Sequence, residues 1–195
     1  MNTISTFLRR VLGRGWVAGL LFLATLLMFG YLVPTQIAGI TQNGALTPKI
    51  LDEHMMGWSA ADASTLFEAI GATGREAYRS FYLSLDFWFP VLTAALFMIS
   101  VLSLVFPAGS AGSRLNLVPL GFYVLDVAEN LIHFTMAGAY PAQPALLWTL
   151  GPAVTLGKWW LIFASLLLIA IGAIGLLRDR RGRPRPANAH RGRKR

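Results

Sequence analysis

Residues 116–139 read NLVPLGFYVLDVAENLIHFTMAGA, a run apolar enough to cross a bilayer as one helix, yet Asp126, Glu129, Asn130 and His133 lie within it. A hydrocarbon core takes roughly 20 helical residues to cross. An ionisable side chain held at its centre costs about 3 kcal/mol unless it meets partners or water. The spacing i, i+3, i+4, i+7 sets all four polar residues on one helical face. The stretch therefore predicts a spanning helix whose polar face turns inward against other helices, and that face is the first place to look for a site.

Working outward, the chain of 195 residues is 55% apolar and 13% charged, a balance far from that of a soluble globular domain. Spans are expected at residues 16–33, 87–106, 116–139 and 153–177, each near the length a bilayer requires. The fold class that follows is all-α: an integral membrane four-helix bundle. Residues 16–177 form its single membrane domain, and loop 34–86 makes a short helical extracytoplasmic cap between spans 1 and 2. Residues 1–15 form a basic amphipathic N-terminus, with Ile4, Phe7, Leu8, Val11 and Leu12 on one side, and 178–195 a disordered basic tail. The first span reads as an uncleaved anchor, because no small-x-small site follows it before Pro34.

Charge sets the orientation. Arg9, Arg10 and Arg14 precede the first span, Arg114 lies between the second and third, and nine of the seventeen basic residues lie in 178–195. All flank one face, which the positive-inside rule makes cytoplasmic. A bacterial inner membrane with both termini inside is the expected location. The net charge of +8 is thus topological. The tail suits anionic lipid headgroups, whereas nucleic acid is disfavoured because no aromatic residues interleave the arginines. Without cysteine, disulfides, thiolate catalysis and thiolate metal sites are excluded.

A connecting loop of about fifty residues needs structure of its own. Thr47-Pro48 and Ser59 with Asp62 read as helix starts, Gly71 as a stop, and Thr73 with Glu76 as a capping box. From residue 74 one long helix is expected to run into the second span. Tyr78, Tyr82, Asp86 and Pro90 form a stripe along it, with a bend where Pro90 leaves the Asp86 carbonyl without its helical partner.

Counting ~1.5 Å per residue from the outer ends puts His133 ~8 Å deep, Glu129 ~13 Å deep, Asp126 near the midplane and Lys158 ~8 Å deep. The candidate ligand-binding set is Asp86, Asp126, Glu129, Asn130, His133 and Lys158. Lys158 is expected to pair with Glu129 or Asp86, and three acids against one lysine leave at least one acid uncompensated. The candidate catalytic groups are Asp126, Glu129 and His133. Glu129 and His133, four apart, also have the spacing to share a metal ion, with Asp126 as an oxygen donor. The competing reading is interhelical hydrogen-bond glue. No cofactor is called for, and a homo-oligomer is compatible with the chain.

Leu85-Asp86 followed by Phe89-Pro90, together with Asp126 and Glu129-Asn130, resembles a recurrent kind of small, uncharacterised bacterial four-helix membrane protein. The likeness covers most of residues 47–160. It implies the topology above and no activity. The favoured function is a small binding or accessory membrane protein. A membrane-embedded lipid-acting hydrolase or isomerase is the alternative, and a proton-coupled small carrier the second alternative.

Overall fold

A computed structural model describes residues 3–40, 49–84, 89–142 and 144–182. Every regular element among them is helical. In chain order they are α1 (Thr3–Leu12), α2 (Gly15–Leu27), α3 (Val33–Ile40), α4 (Ala60–Ser84), α5 (Pro90–Val105), α6 (Val118–Ala139) and α7 (Ala145–Gly182). The continuous helix Gly15–Ile40, the segment Leu115–Ala139 and the segment Ala145–Asp179 are each long and apolar enough to cross a membrane. The expected second span is shorter: α5 is apolar but only 16 residues long.

Proline accounts for most departures from the expected boundaries. Pro34 has no N–H and its ring crowds the carbonyl four residues back. The chain accommodates it by widening into a π-helical turn, Met28–Leu32, closed by the Val33 N–H donating to Met28 O, so the first helix continues to Ile40 instead of ending near Val33. Pro90 starts a helix rather than bending one. It occupies the first turn of α5, where a missing N–H costs nothing, and the expected uninterrupted helix from residue 74 is replaced by α4 and α5. Asp86, and with it the end of the predicted stripe, lies outside the described residues, as do Thr47-Pro48 and the tail beyond Gly182. Pro152 lies inside α7, and that helix begins eight residues before the expected 153.

Serine and glycine signals in the connecting segment behave as read. Ser59 and Asp62 cap α4 reciprocally: the Ser59 N–H and hydroxyl donate to Asp62 Oδ2, both at 2.7 Å, and the Asp62 N–H donates to Ser59 Oγ at 3.2 Å. At Gly71 the backbone adopts φ +63° and ψ −171°, a region open essentially only to glycine, and the helix turns a corner before resuming.

Two apolar cores result. The first joins the connecting segment to the ends of α3 and α6: Ile50, Leu51, Trp58, Leu66, Phe67, Tyr78 and Tyr82 close on Met136 and Ala137. The second, Val91, Ala94, Ala95, Met98 and Phe122, lies where α5 meets α6, with Leu161 and Ile162 of α7 packed against it. Helix α2 contributes almost nothing to either core. Trp16, Leu20, Leu23, Leu27 and Tyr31 are all more than half exposed, an apolar surface that water would penalise and lipid tails would cover.

Candidate functional site

Helices α6 and α7 run antiparallel, joined by a short turn around Ala142. Their register is constant along the contact. Asp126 and Lys158 are each 16 residues from Ala142, and Glu129 and Thr155 are each 13 from it. Lys158 Nζ accordingly lies 3.2 Å from Asp126 Oδ1, and the Thr155 hydroxyl donates to Glu129 Oε1. Lys158 Nζ also donates to Glu129 Oε2. Close approach of the two helices is permitted by glycine: a Cβ on Gly157 would meet Leu125 Cδ1 at 3.0 Å, and one on Gly151 would meet Ile132 Cγ2 at 3.3 Å.

The expected Lys158–Glu129 pair is therefore present, and Lys158 reaches further than expected. Its depth is ~20 Å from the start of α7, not ~8 Å from residue 153, because the helix begins at Ala145. It thus lies level with Asp126. A third carboxylate completes the cluster from a place the sequence reading did not single out. The 3₁₀ turn Leu51–Glu53 brings Asp52 Oδ1 to Lys158 Nζ. Two more bonds tie this segment to α7: Trp159 Nε1 donates to Asp52 O at 2.9 Å, and Trp58 Nε1 donates to Thr155 Oγ1 at 3.0 Å. The only sequence signal for this docking was the apolar pair Ile50-Leu51 beside Asp52; both are almost fully buried.

Asp126, Glu129, Asn130, His133 and Lys158 are all buried, so the stripe does face inward, but it divides into two neighbourhoods. Asn130 Nδ2 donates to Asp126 Oδ2 at 3.0 Å, extending the carboxylate cluster. His133 belongs elsewhere. Its ring sits among Tyr82, Trp58 and Tyr78, with centroid distances of 5.0, 5.8 and 6.2 Å. Among the described residues neither imidazole nitrogen has a hydrogen-bond partner.

This division bears on the expected metal pairing of Glu129 with His133. The side chains grouped closely enough to share an ion are Asp52, Asp126 and Glu129, whose ligand atoms lie within 4.8 Å of one another. The group does not include His133. The cation already among those carboxylates is the Lys158 ammonium, which contacts Asp52 Oδ1, Asp126 Oδ1 and Glu129 Oε2.

Below the cluster lies a cavity of about 220 Å³. Asp52, Asp126 and Lys158 line its polar end, and Phe29, Val91, Ala94, Met98, Phe122 and Ile162 line the rest. Its walls come from α2's π-helical extension, α5, α6 and α7. The arrangement combines an apolar sleeve with a charged floor carrying two carboxylates, Asp52 and Asp126, for one ammonium.

No protein-family model, curated protein sequence or solved structure matches the chain.

Proposed function

We propose that this chain is a multi-pass protein of a bacterial inner membrane, a bundle of four spanning helices with both termini cytoplasmic. In this reading α5 acts as the second span, and the cavity under Lys158 binds a membrane-resident amphiphile. The orientation is supported by charge: Arg9 and Arg114 line one cavity at the end of the molecule opposite the Asp52 turn, as positive-inside sorting requires. Helix α5 itself is 16 residues long and predominantly apolar.

The observation that carries the binding reading is the cavity itself. An apolar sleeve that ends on buried charges has the composition of a ligand site rather than of packing alone. With carboxylates in excess, the polar end of the occupant is one that donates hydrogen bonds or carries positive charge, and its apolar part lies along Val91, Met98 and Phe122. Asp126 and Lys158 serve as the polar anchors, with Glu129 and Asn130 holding them in position.

Mass spectrometry of the full chain purified in mild detergent tests this directly. The expected result is one amphiphile retained by the wild type and lost in Ala94→Leu, which fills the sleeve. Asp126→Asn should weaken retention. If both variants lower the melting temperature while no molecule is ever retained, the network is interhelical glue and the reading fails. A chemically altered molecule recovered from the wild type but not from Asp126→Asn would favour the lipid-acting enzyme instead.

A further inference from the structure

At the opposite end of the molecule, α1 docks on the turn between α5 and α6 through a second set of buried polar contacts. Arg9 Nη1 donates to Ser103 O and Phe106 O, and Arg9 Nη2 to Ser113 O, each at 2.5 Å. The guanidinium thereby caps carbonyls at the C-terminal end of α5, where the helix dipole favours a cation. Ser5 Oγ donates to Asn116 Oδ1 at 2.7 Å, and Asn116 Nδ2 to Ser5 O at 3.2 Å and Ser103 Oγ at 3.0 Å. The docking is therefore specific, and it leaves a cavity of about 110 Å³.

The lining of that cavity is chemically one-sided. It comprises Arg9 and Arg114, the hydroxyl residues Ser5, Thr6, Ser110 and Ser113, and the small residues Ala108 and Gly109, with no carboxylate. Among the described residues neither arginine has an ion-pair partner: the four ion pairs present involve Arg79 and Lys158. Arg9 spends three of its five N–H donors on carbonyls, leaving two, and Arg114 makes no side-chain hydrogen bond among the described residues. The Ser110 hydroxyl, shut off from solvent, lacks a hydrogen-bond partner among the described residues. Two guanidiniums without counter-ions and an unused hydroxyl around one space match the needs of a phosphate group.

We propose that this cavity binds the phosphate of a phospholipid headgroup, held by Arg9 and Arg114 with Ser110 as a further donor. A lipid rather than a free phosphate is favoured by the outer side of α1. Ile4, Phe7 and Val11 are 57%, 63% and 48% exposed, the apolar face of a helix lying in the membrane interface. Acyl chains can pass over that face while the headgroup enters beside it. The proposal rests on the chain residing in a membrane, and not on the amphiphile cavity under Lys158.

The test is lipid retention by the full chain released from nanodiscs of phosphatidylcholine containing phosphatidylglycerol. The two lipids share the phosphate, but only the second brings an uncompensated negative charge. The wild type is expected to retain phosphatidylglycerol about fivefold or more over its bulk fraction, the scale of one arginine–headgroup attraction. Arg114→Gln should cut the preference severalfold at an unchanged melting temperature, because that side chain holds no structural bond while the basic tail is unaltered. Lys49→Gln, an exposed cation beside the Ile50–Leu51 core at the other end of the molecule, should leave it intact. Equal retention in wild type and Arg114→Gln overturns the site. Thermal stabilisation by inorganic phosphate that requires Arg114, without any lipid preference, overturns the lipid and assigns the cavity to a soluble phosphate.

Discussion

Lys158 illustrates how strongly a single buried charge depends on its surroundings. Its ammonium contacts Asp52, Asp126 and Glu129, so removing it leaves carboxylates buried with no cation. Breaking a buried pair from one side costs about 3–5 kcal/mol. Lys158→Met is therefore expected to lower the thermal midpoint in detergent sharply. Adding Glu129→Gln should restore part of the loss, because the second change removes one of the orphaned charges. A loss in the double variant equal to the sum of the two single losses would show that the pair is not coupled. Asp126, Glu129 and Lys158 were all legible as candidates because ionisable groups in apolar runs are conspicuous. Asp52 was not, because an acid in a polar loop is ordinary until the loop is seen to fold inward.

At the scale of elements, the connecting segment depends on two local devices. The reciprocal Ser59–Asp62 cap fixes the start of α4, and Ser59→Ala is expected to cost about 1 kcal/mol of stability. Hydrogen bonds from Ser59 hold the Asp62 carboxyl below its ordinary value of 3.8. A lowered folded-state pKa means that the contribution is fully present above that value and disappears as pH falls through the folded value. Wild type should therefore exceed Asp62→Asn in stability at pH 6, and the difference should begin to shrink as pH falls below about 3.8 and disappear only below the lower folded value, read by parallel thermal melts. The second device is Gly71. A Cβ there meets no atom within 4 Å, so any cost of Gly71→Ala comes from the backbone alone, about 1–3 kcal/mol. Limited proteolysis of the segment should accelerate in that variant; unchanged cleavage would mean that the corner is dispensable. Both signals were readable because capping and left-handed glycine are local chemistry. The helix boundaries at Pro34, Pro90 and Pro152 were not. Whether proline widens, begins or sits within a helix depends on what packs around it.

Across the whole molecule, the long apolar helices, the basic end formed by α1 with the α5–α6 turn, and the capped end over Lys158 define an axis. If that axis crosses a bilayer, single cysteines at Ser113 and Ala142 should react with impermeant thiol reagents from opposite sides. The wild-type chain provides a clean background, having no cysteine of its own. Labelling of both positions from one side would overturn the four-span topology. By itself the sequence determined that the chain is helical and apolar enough for a membrane, which end is basic, and that one face of α6 carries the unusual polar groups. These follow from composition and from the 3.6-residue period, which any single helix displays. Only the tertiary structure decided which groups meet. The α6–α7 register set Lys158 level with Asp126, the inward turn at Leu51–Glu53 supplied Asp52, and the aromatic ring of Trp58, Tyr78 and Tyr82 separated His133 from the carboxylates. Each of those outcomes depends on where one element stops and how another packs against it, and that information is non-local.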